Sequence, residues 1–191
     1  EYFILISAFK FIKGGKDDAR VFGYSCTAQE VADFAARFPF PFTEGQKAAV
    51  GEIYKNLRSP GRMNRLLQGD VGSGKTAVAL CGIFMAVKSG HQAAPVAPTE
   101  VLAEQNFALV QRYLPDYRAA FLSGSTPAKE KREIKRALAA GEIDVICGTH
   151  AILQEDVEAK DLAFCVCDEQ HRFGVAQRSA HGEKSEGADM L

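Results

Sequence analysis

The chain has 191 residues, 47% of them hydrophobic, which is long enough for one well-buried domain with residues left over for a linker. Its 23 lysines and arginines balance 24 aspartates and glutamates, so no global field favours a polyanionic partner and any nucleic-acid contact must be local. Five cysteines, at 26, 81, 147, 165 and 167, form no Cys-x-x-Cys pair and several lie in apolar runs, which argues against disulfides and zinc and for reduced thiols in a cytosolic chain.

In chain order, two apolar stretches at 3–12 and 31–38 flank a polar, glycine-bearing run at 13–23 that reads as a loop. The apolar opening contains Lys10, falls short of the roughly 20 residues a bilayer span requires, and lacks the basic start of a signal peptide. From residue 42 the pattern changes. Strands are predicted at 65–67 running into Gln68, 92–97, 117–122, 144–147 and 162–167, and helices at 75–88, 99–113, 127–140 and 151–156. Repeated strand-then-helix units predict an α/β fold: a parallel sheet flanked by helices, with ligands at the carboxyl ends of the strands. Residues 189–191 read as the start of one more strand.

The loop after the first of these strands carries the most specific signal. Gly69-Asp70-Val71-Gly72-Ser73-Gly74-Lys75-Thr76 fits the phosphate-binding pattern G-x-x-x-x-G-K-[ST] without departure, between a predicted strand and a predicted helix. Gly69, Gly72 and Gly74 let the backbone curl so that successive N–H groups, Ser73's among them, point at phosphates, and the helix N-terminus adds partial positive charge. Lys75 is expected at the β- and γ-phosphates of ATP, and the Thr76 hydroxyl on Mg²⁺.

The apolar run 162–167 then delivers Asp168, Glu169, Gln170 and His171 to a strand end. Asp168 is expected to hold Mg²⁺ and Glu169 to polarise the attacking water, the two motifs converging from neighbouring parallel strands. Gln170 and His171 fit a role in sensing the γ-phosphate and passing the signal on, although a histidine there also suits a hydrogen-bonded hinge.

With both elements placed, the sequence resembles the superfamily 2 helicases, and among them the RecG family of bacterial branch-migration helicases. Residues 63–76 are similar to that family's first motif. Ala97-Pro98-Thr99-Glu100-Val101-Leu102-Ala103-Glu104-Gln105, then Leu122-Ser123-Gly124-Ser125-Thr126, Gly148-Thr149-His150 and Asp168-Glu169-Gln170-His171-Arg172-Phe173-Gly174-Val175 continue the series in order. The transcription-repair coupling factors share Gly-Thr-His and Phe-Gly-Val but differ where this chain has Ser73 and Gln170; they are the runner-up.

The resemblance implies a helical linker segment over 1–41 and a RecA-like P-loop lobe over 42–191. It implies an ATP-dependent DNA helicase acting with Mg²⁺ on branched DNA, forks and Holliday junctions, in the bacterial cytosol and near the nucleoid. By the same carry-over Phe42, Thr43 and Gln46 resemble the upstream glutamine motif, Gln46 reading the adenine edge; an exposed helix position is the plainer alternative. Thr99 and Glu100, and likewise Thr149 and His150, are expected to meet DNA phosphate from strand ends, with a simple helix cap as the alternative for Thr99. A second RecA-like lobe bearing an arginine finger, a wedge domain and a Thr-Ala-Thr motif are expected outside this stretch, which then reads as a piece of a longer protein with weak turnover of its own. Lys129, Lys131, Arg132, Lys135 and Arg136, with Glu130 and Glu133 among them, read mostly as a solvated face, with phosphate tracking as the alternative. A small-molecule kinase and a non-catalytic nucleotide-binding module are the competing classes.

Overall fold

A computed structural model describes residues 4–7, 22–154, 156–167 and 188–191. Its strands are β1 (Ile4–Ser7), β2 (Arg65–Gln68), β3 (Gln92–Val96), β4 (Ala119–Leu122), β5 (Val145–Gly148), β6 (Leu162–Cys167) and β7 (Asp189–Met190). Its helices are α1 (Ala28–Ala35), α2 (Glu44–Leu57), α3 (Lys75–Lys88), α4 (Glu100–Tyr113) and α5 (Ala128–Ala140), and a 3₁₀ turn at His150–Leu153 follows β5.

Five strands form one parallel sheet in the order β4-β5-β3-β6-β7. Strand β2 starts beside β7, where the Met190 N–H donates to the Met63 carbonyl at 2.8 Å and Asn64 bridges Met190 in parallel. The loop after β2 and the end of β6 therefore lie on the same edge of the sheet with β7 between them, which corrects the expectation that they come from adjacent strands. Strand β1 pairs antiparallel with β2, so part of the segment expected as a helical linker is extended chain.

Helix α3 is apolar on all sides, and ten of its 14 residues are buried. A helix of that kind has to be enclosed, and α3 is packed between the sheet and helices α1 and α2. It approaches the sheet tightly at Gly82, where a Cβ would lie 2.5 Å from the Phe164 ring of β6. On its outer side Phe84 stacks on Phe34 of α1 with ring centroids 4.3 Å apart. Thr27 and Glu30 form a reciprocal cap at the start of α1, and Phe38 stacks on Tyr113 of α4. The opposite face of the sheet is covered by Leu138 of α5 with Ala151, Ile152 and Val157. Alternate strand residues divide between the two faces: Val145 and Cys147 face α3 and α4, while Ile146 faces α5.

Cys165 and Cys167 pack on one face, as their spacing implies, and all five cysteines are free thiols. Burial pushes the Cys81 and Cys165 thiols up to about 12 and that of Cys147 higher still. The helix expected over 151–156 is only the four-residue 3₁₀ turn, because Gln154 returns to an extended backbone and ends it. Helix α2 had no counterpart among the expected elements. No helix among the described residues is long and apolar enough to cross a membrane.

Candidate functional site

Strand β2 ends at Gln68 and α3 begins at Lys75, so the segment between them has to reverse direction within a few residues. Gly72 and Gly74 make this possible with φ of 79° and 81°, a region open to glycine at little cost. Gly74 caps α3 without a side-chain hydrogen bond, leaving first-turn N–H groups of the helix open to an anion. The Lys75 ammonium donates to the carbonyls of Gly69 at 2.7 Å and Asp70 at 3.0 Å, and so lies across the loop it belongs to. Thr76 is exposed on the first turn of α3 and Val71 stands fully in solvent at the loop tip. The Ser73 hydroxyl is buried and has no hydrogen-bond partner among the described residues. An unpaired buried hydroxyl costs about 1–3 kcal/mol, and a phosphate oxygen is the kind of group that would satisfy it. The residues present therefore fit a polyphosphate, with the exposed Thr76 hydroxyl beside it as an oxygen donor of the kind Mg²⁺ takes.

Gln46 is only 4% exposed, so the solvent-facing reading of this residue does not hold. Its Oε1 accepts from the Thr43 N–H at 2.8 Å while the Thr43 hydroxyl accepts from the Gln46 N–H, a reciprocal cap at the start of α2. Its Nε2 donates to the Ser73 carbonyl at 2.8 Å. One amide thus fixes a helix start and braces the phosphate loop. The same Nε2 would be 2.3 Å from any Cβ at Gly74, so a side chain there would push the amide off the Ser73 carbonyl, in addition to the strain of its φ.

Thr99 caps α4 through the Leu102 N–H. The Glu100 carboxylate accepts from the Ser125 N–H at 3.1 Å and from the Ser125 hydroxyl at 2.9 Å, tying the loop after β4 to the start of α4. Hydrogen bonds from the Ser125 backbone and hydroxyl hold its pKa below the ordinary carboxylate value, with the Ser123 hydroxyl and the charge of Lys131 adding to the effect. The serine partner was not legible in the sequence, because the contact spans 25 positions. Thr149 is 3% exposed, with its hydroxyl turned to the Ala151 N–H, whereas His150 is exposed. Gly148 before them admits no side chain, since a Cβ would fall 1.8 Å from the Leu122 carbonyl oxygen of β4. Thr99, Glu100, the 123–126 loop, Thr149 and His150 thus all follow strand carboxyl ends, as does the phosphate loop. Asp168, Glu169, Gln170 and His171 lie outside the described residues, which end on this side of the gap at Cys167, the last residue of β6.

Residues 43–186 match the DEAD/DEAH box helicase family model. The chain belongs to the DEAD/DEAH box helicase family. The matched region of this helicase lobe begins at Thr43, the cap of α2, and takes in the glutamine contact, the phosphate loop and the strand-end loops. The ATP-dependent DNA helicase RecG of Streptococcus pneumoniae is 47% identical over 163 residues, covering 85% of this chain and 24% of that protein. RecG of Bacillus subtilis is 46% identical over 167 residues, with the same two coverages. A solved structure described as RecG bound to a three-way DNA junction superposes with a TM-score of 0.76 at 38% identity, covering 88% of this chain and 23% of that one. The chain spans about a quarter of the length of these relatives.

Proposed function

We propose that this chain is the ATP-binding motor lobe of a RecG-type DNA helicase, whose full-length form couples ATP hydrolysis to the migration and unwinding of branched DNA in the bacterial cytosol. The observation that carries the proposal is the loop at 69–76: curled by two left-handed glycines onto the start of α3, holding a buried unpaired hydroxyl at Ser73, and spanned by the Lys75 ammonium. In this reading Lys75 exchanges the Gly69 and Asp70 carbonyls for the β- and γ-phosphates, and Thr76 and Asp168 would hold a magnesium ion. When bound there, a magnesium ion would supply positive charge against the phosphoryl oxygens. Glu169 orients the attacking water, while Gln170 and His171 report the state of the γ-phosphate. A second RecA-like lobe completes the cleft, and without an arginine finger turnover is lower by about 10³–10⁵. Thr99 and His150 meet DNA phosphate from the strand-end loops, whereas the buried Thr149 and the Glu100 carboxylate held by Ser125 shape those loops in place of the DNA contact expected of them. The relatives named RecG, and the solved complex with a three-way junction, support this choice of substrate.

The test is linkage between the two ligands. A fluorescent ATP analogue is titrated into the chain with Mg²⁺, with and without saturating forked DNA. A motor lobe binds both, and DNA shifts the nucleotide affinity, since coupling between sites is reciprocal. Nucleotide binding that is blind to DNA would point to a phosphotransferase or a plain nucleotide-binding module instead.

A further inference from the structure

Helix α5 carries most of its charge on exposed positions, and the structure shows that the charge is sorted by side. At 100° per residue, Lys131, Lys135, Arg132, Arg136 and Lys129 fall on one arc of about 160°, while Glu130 and Glu133 share an adjoining arc of about 60°. In a chain of formal net charge −1, such sorting is not a by-product of basic composition. The inner two lysines are tied to neighbouring loops. Lys131 donates to the Gly124 carbonyl at 2.9 Å, in the loop after β4, and Lys135 pairs with Asp156 in the connection after the 3₁₀ turn. The Lys131 tie holds the first turns of α5 against the 123–126 loop at the strand carboxyl ends, so that Lys129 lies beside that loop. The outer three, Lys129, Arg132 and Arg136, are exposed and have no ion pair or hydrogen bond among the described residues.

We propose that the Lys129–Arg132–Arg136 face of α5 is a contact surface for the phosphates of duplex DNA, continuing the track begun at the strand-end loops. The three residues cover about 10 Å along the helix, and phosphates of one strand succeed each other about every 3.4 Å along the duplex axis. Laid along the duplex, that length spans about four phosphates of one strand, enough for each of the three cations to meet one, and nothing in this contact reads a base. The proposal rests on the DNA-motor reading above and adds to it the element that carries duplex phosphate.

The test compares the wild-type chain, the triple variant Lys129→Gln, Arg132→Gln, Arg136→Gln, and a control, Lys55→Gln, Arg112→Gln, Arg118→Gln. The control removes three exposed charges near the amino ends of β2 and β4, away from the strand-end loops. Binding to a labelled duplex is measured by anisotropy across a salt series, with circular dichroism establishing that each variant folds. The α5 variant is expected to lower the slope of log K against log salt by about 3, equally for unrelated sequences, and the control to leave it unchanged. An α5 variant with the wild-type slope overturns this proposal and leaves the motor reading standing. An equal fall in the control overturns it too, because the effect is then one of overall charge. A wild-type chain without salt-dependent DNA binding overturns both readings.

Discussion

Replacing Gln46 separates two roles that its amide could serve. In Gln46→Ala the Ser73 carbonyl loses its donor in a buried setting, at about 1–3 kcal/mol, and the cap on the Thr43 N–H goes with it, at about 0.5–1.5 kcal/mol. The chain should therefore lose about 2–4 kcal/mol of stability, read as a lower urea midpoint at unchanged slope. Gln46→Glu keeps the capping acceptor, which glutamate serves as well as glutamine. It removes only the donor to Ser73, and sets a carboxylate against a carbonyl. It should be destabilised as well, which capping alone does not predict. Ligand binding then decides the functional question. If the amide acts by bracing the loop, losing about 1 kcal/mol of loop order weakens ATP and tripolyphosphate alike, by about fivefold. A Gln46→Ala chain that binds tripolyphosphate as the wild type does, while losing ATP affinity, would refute bracing and assign the amide to the adenine.

The remaining expectations concern the core. Gly82→Ala should destabilise by about 1–2 kcal/mol even though alanine favours helix over glycine by about 1 kcal/mol, because its Cβ meets the Phe164 ring. Pairing it with Phe164→Leu should recover part of that loss in a double-mutant cycle; strict additivity would mean the two do not touch. Stability should also fall in alkali. Burial raises the folded-state thiols of Cys81 and Cys165 from 9.0 to about 12, and that of Cys26 to about 11, by burial first with Glu30 beside it. The folded chain then keeps protons that the unfolded chain releases, so stability is level below pH 9 and declines from there toward pH 12. Equal urea midpoints at pH 8 and pH 10.5 would contradict this.

What was legible in the sequence followed from local chemistry. The bounds of α3 came out as expected because a glycine loop opens the helix, fourteen residues of nearly unbroken apolar sequence carry it, and Ser89-Gly90 ends it. Strands β3, β5 and β6 were visible as short apolar runs because a central parallel strand is covered on both faces. Helix α2 was missed although Thr43 and Gln46 spell a capping box. Its apolar residues are interrupted by Gly51 and by charged positions, so the periodicity is weak and the cap is the better signal. The 3₁₀ turn after β5 was read as a helix because Ala151 and Ile152 are apolar and buried, but burial there comes from packing on the sheet rather than from a helical repeat. The contacts that shape the site escaped for a common reason. Gln46 with Ser73, and Glu100 with Ser125, join residues more than twenty positions apart, and only the packed sheet brings them together. The partner of Lys135 on α5, Asp156, was hidden in the same way, 21 positions along the chain.

The central claim is that the loop at 69–76 holds the triphosphate of ATP through Lys75. Calorimetric titration of the chain with ATP and Mg²⁺ tests it most directly, comparing the wild type with a folded Lys75→Ala variant. The account predicts one site in the wild type and none measurable in the variant. Unchanged binding after the lysine is removed would contradict it.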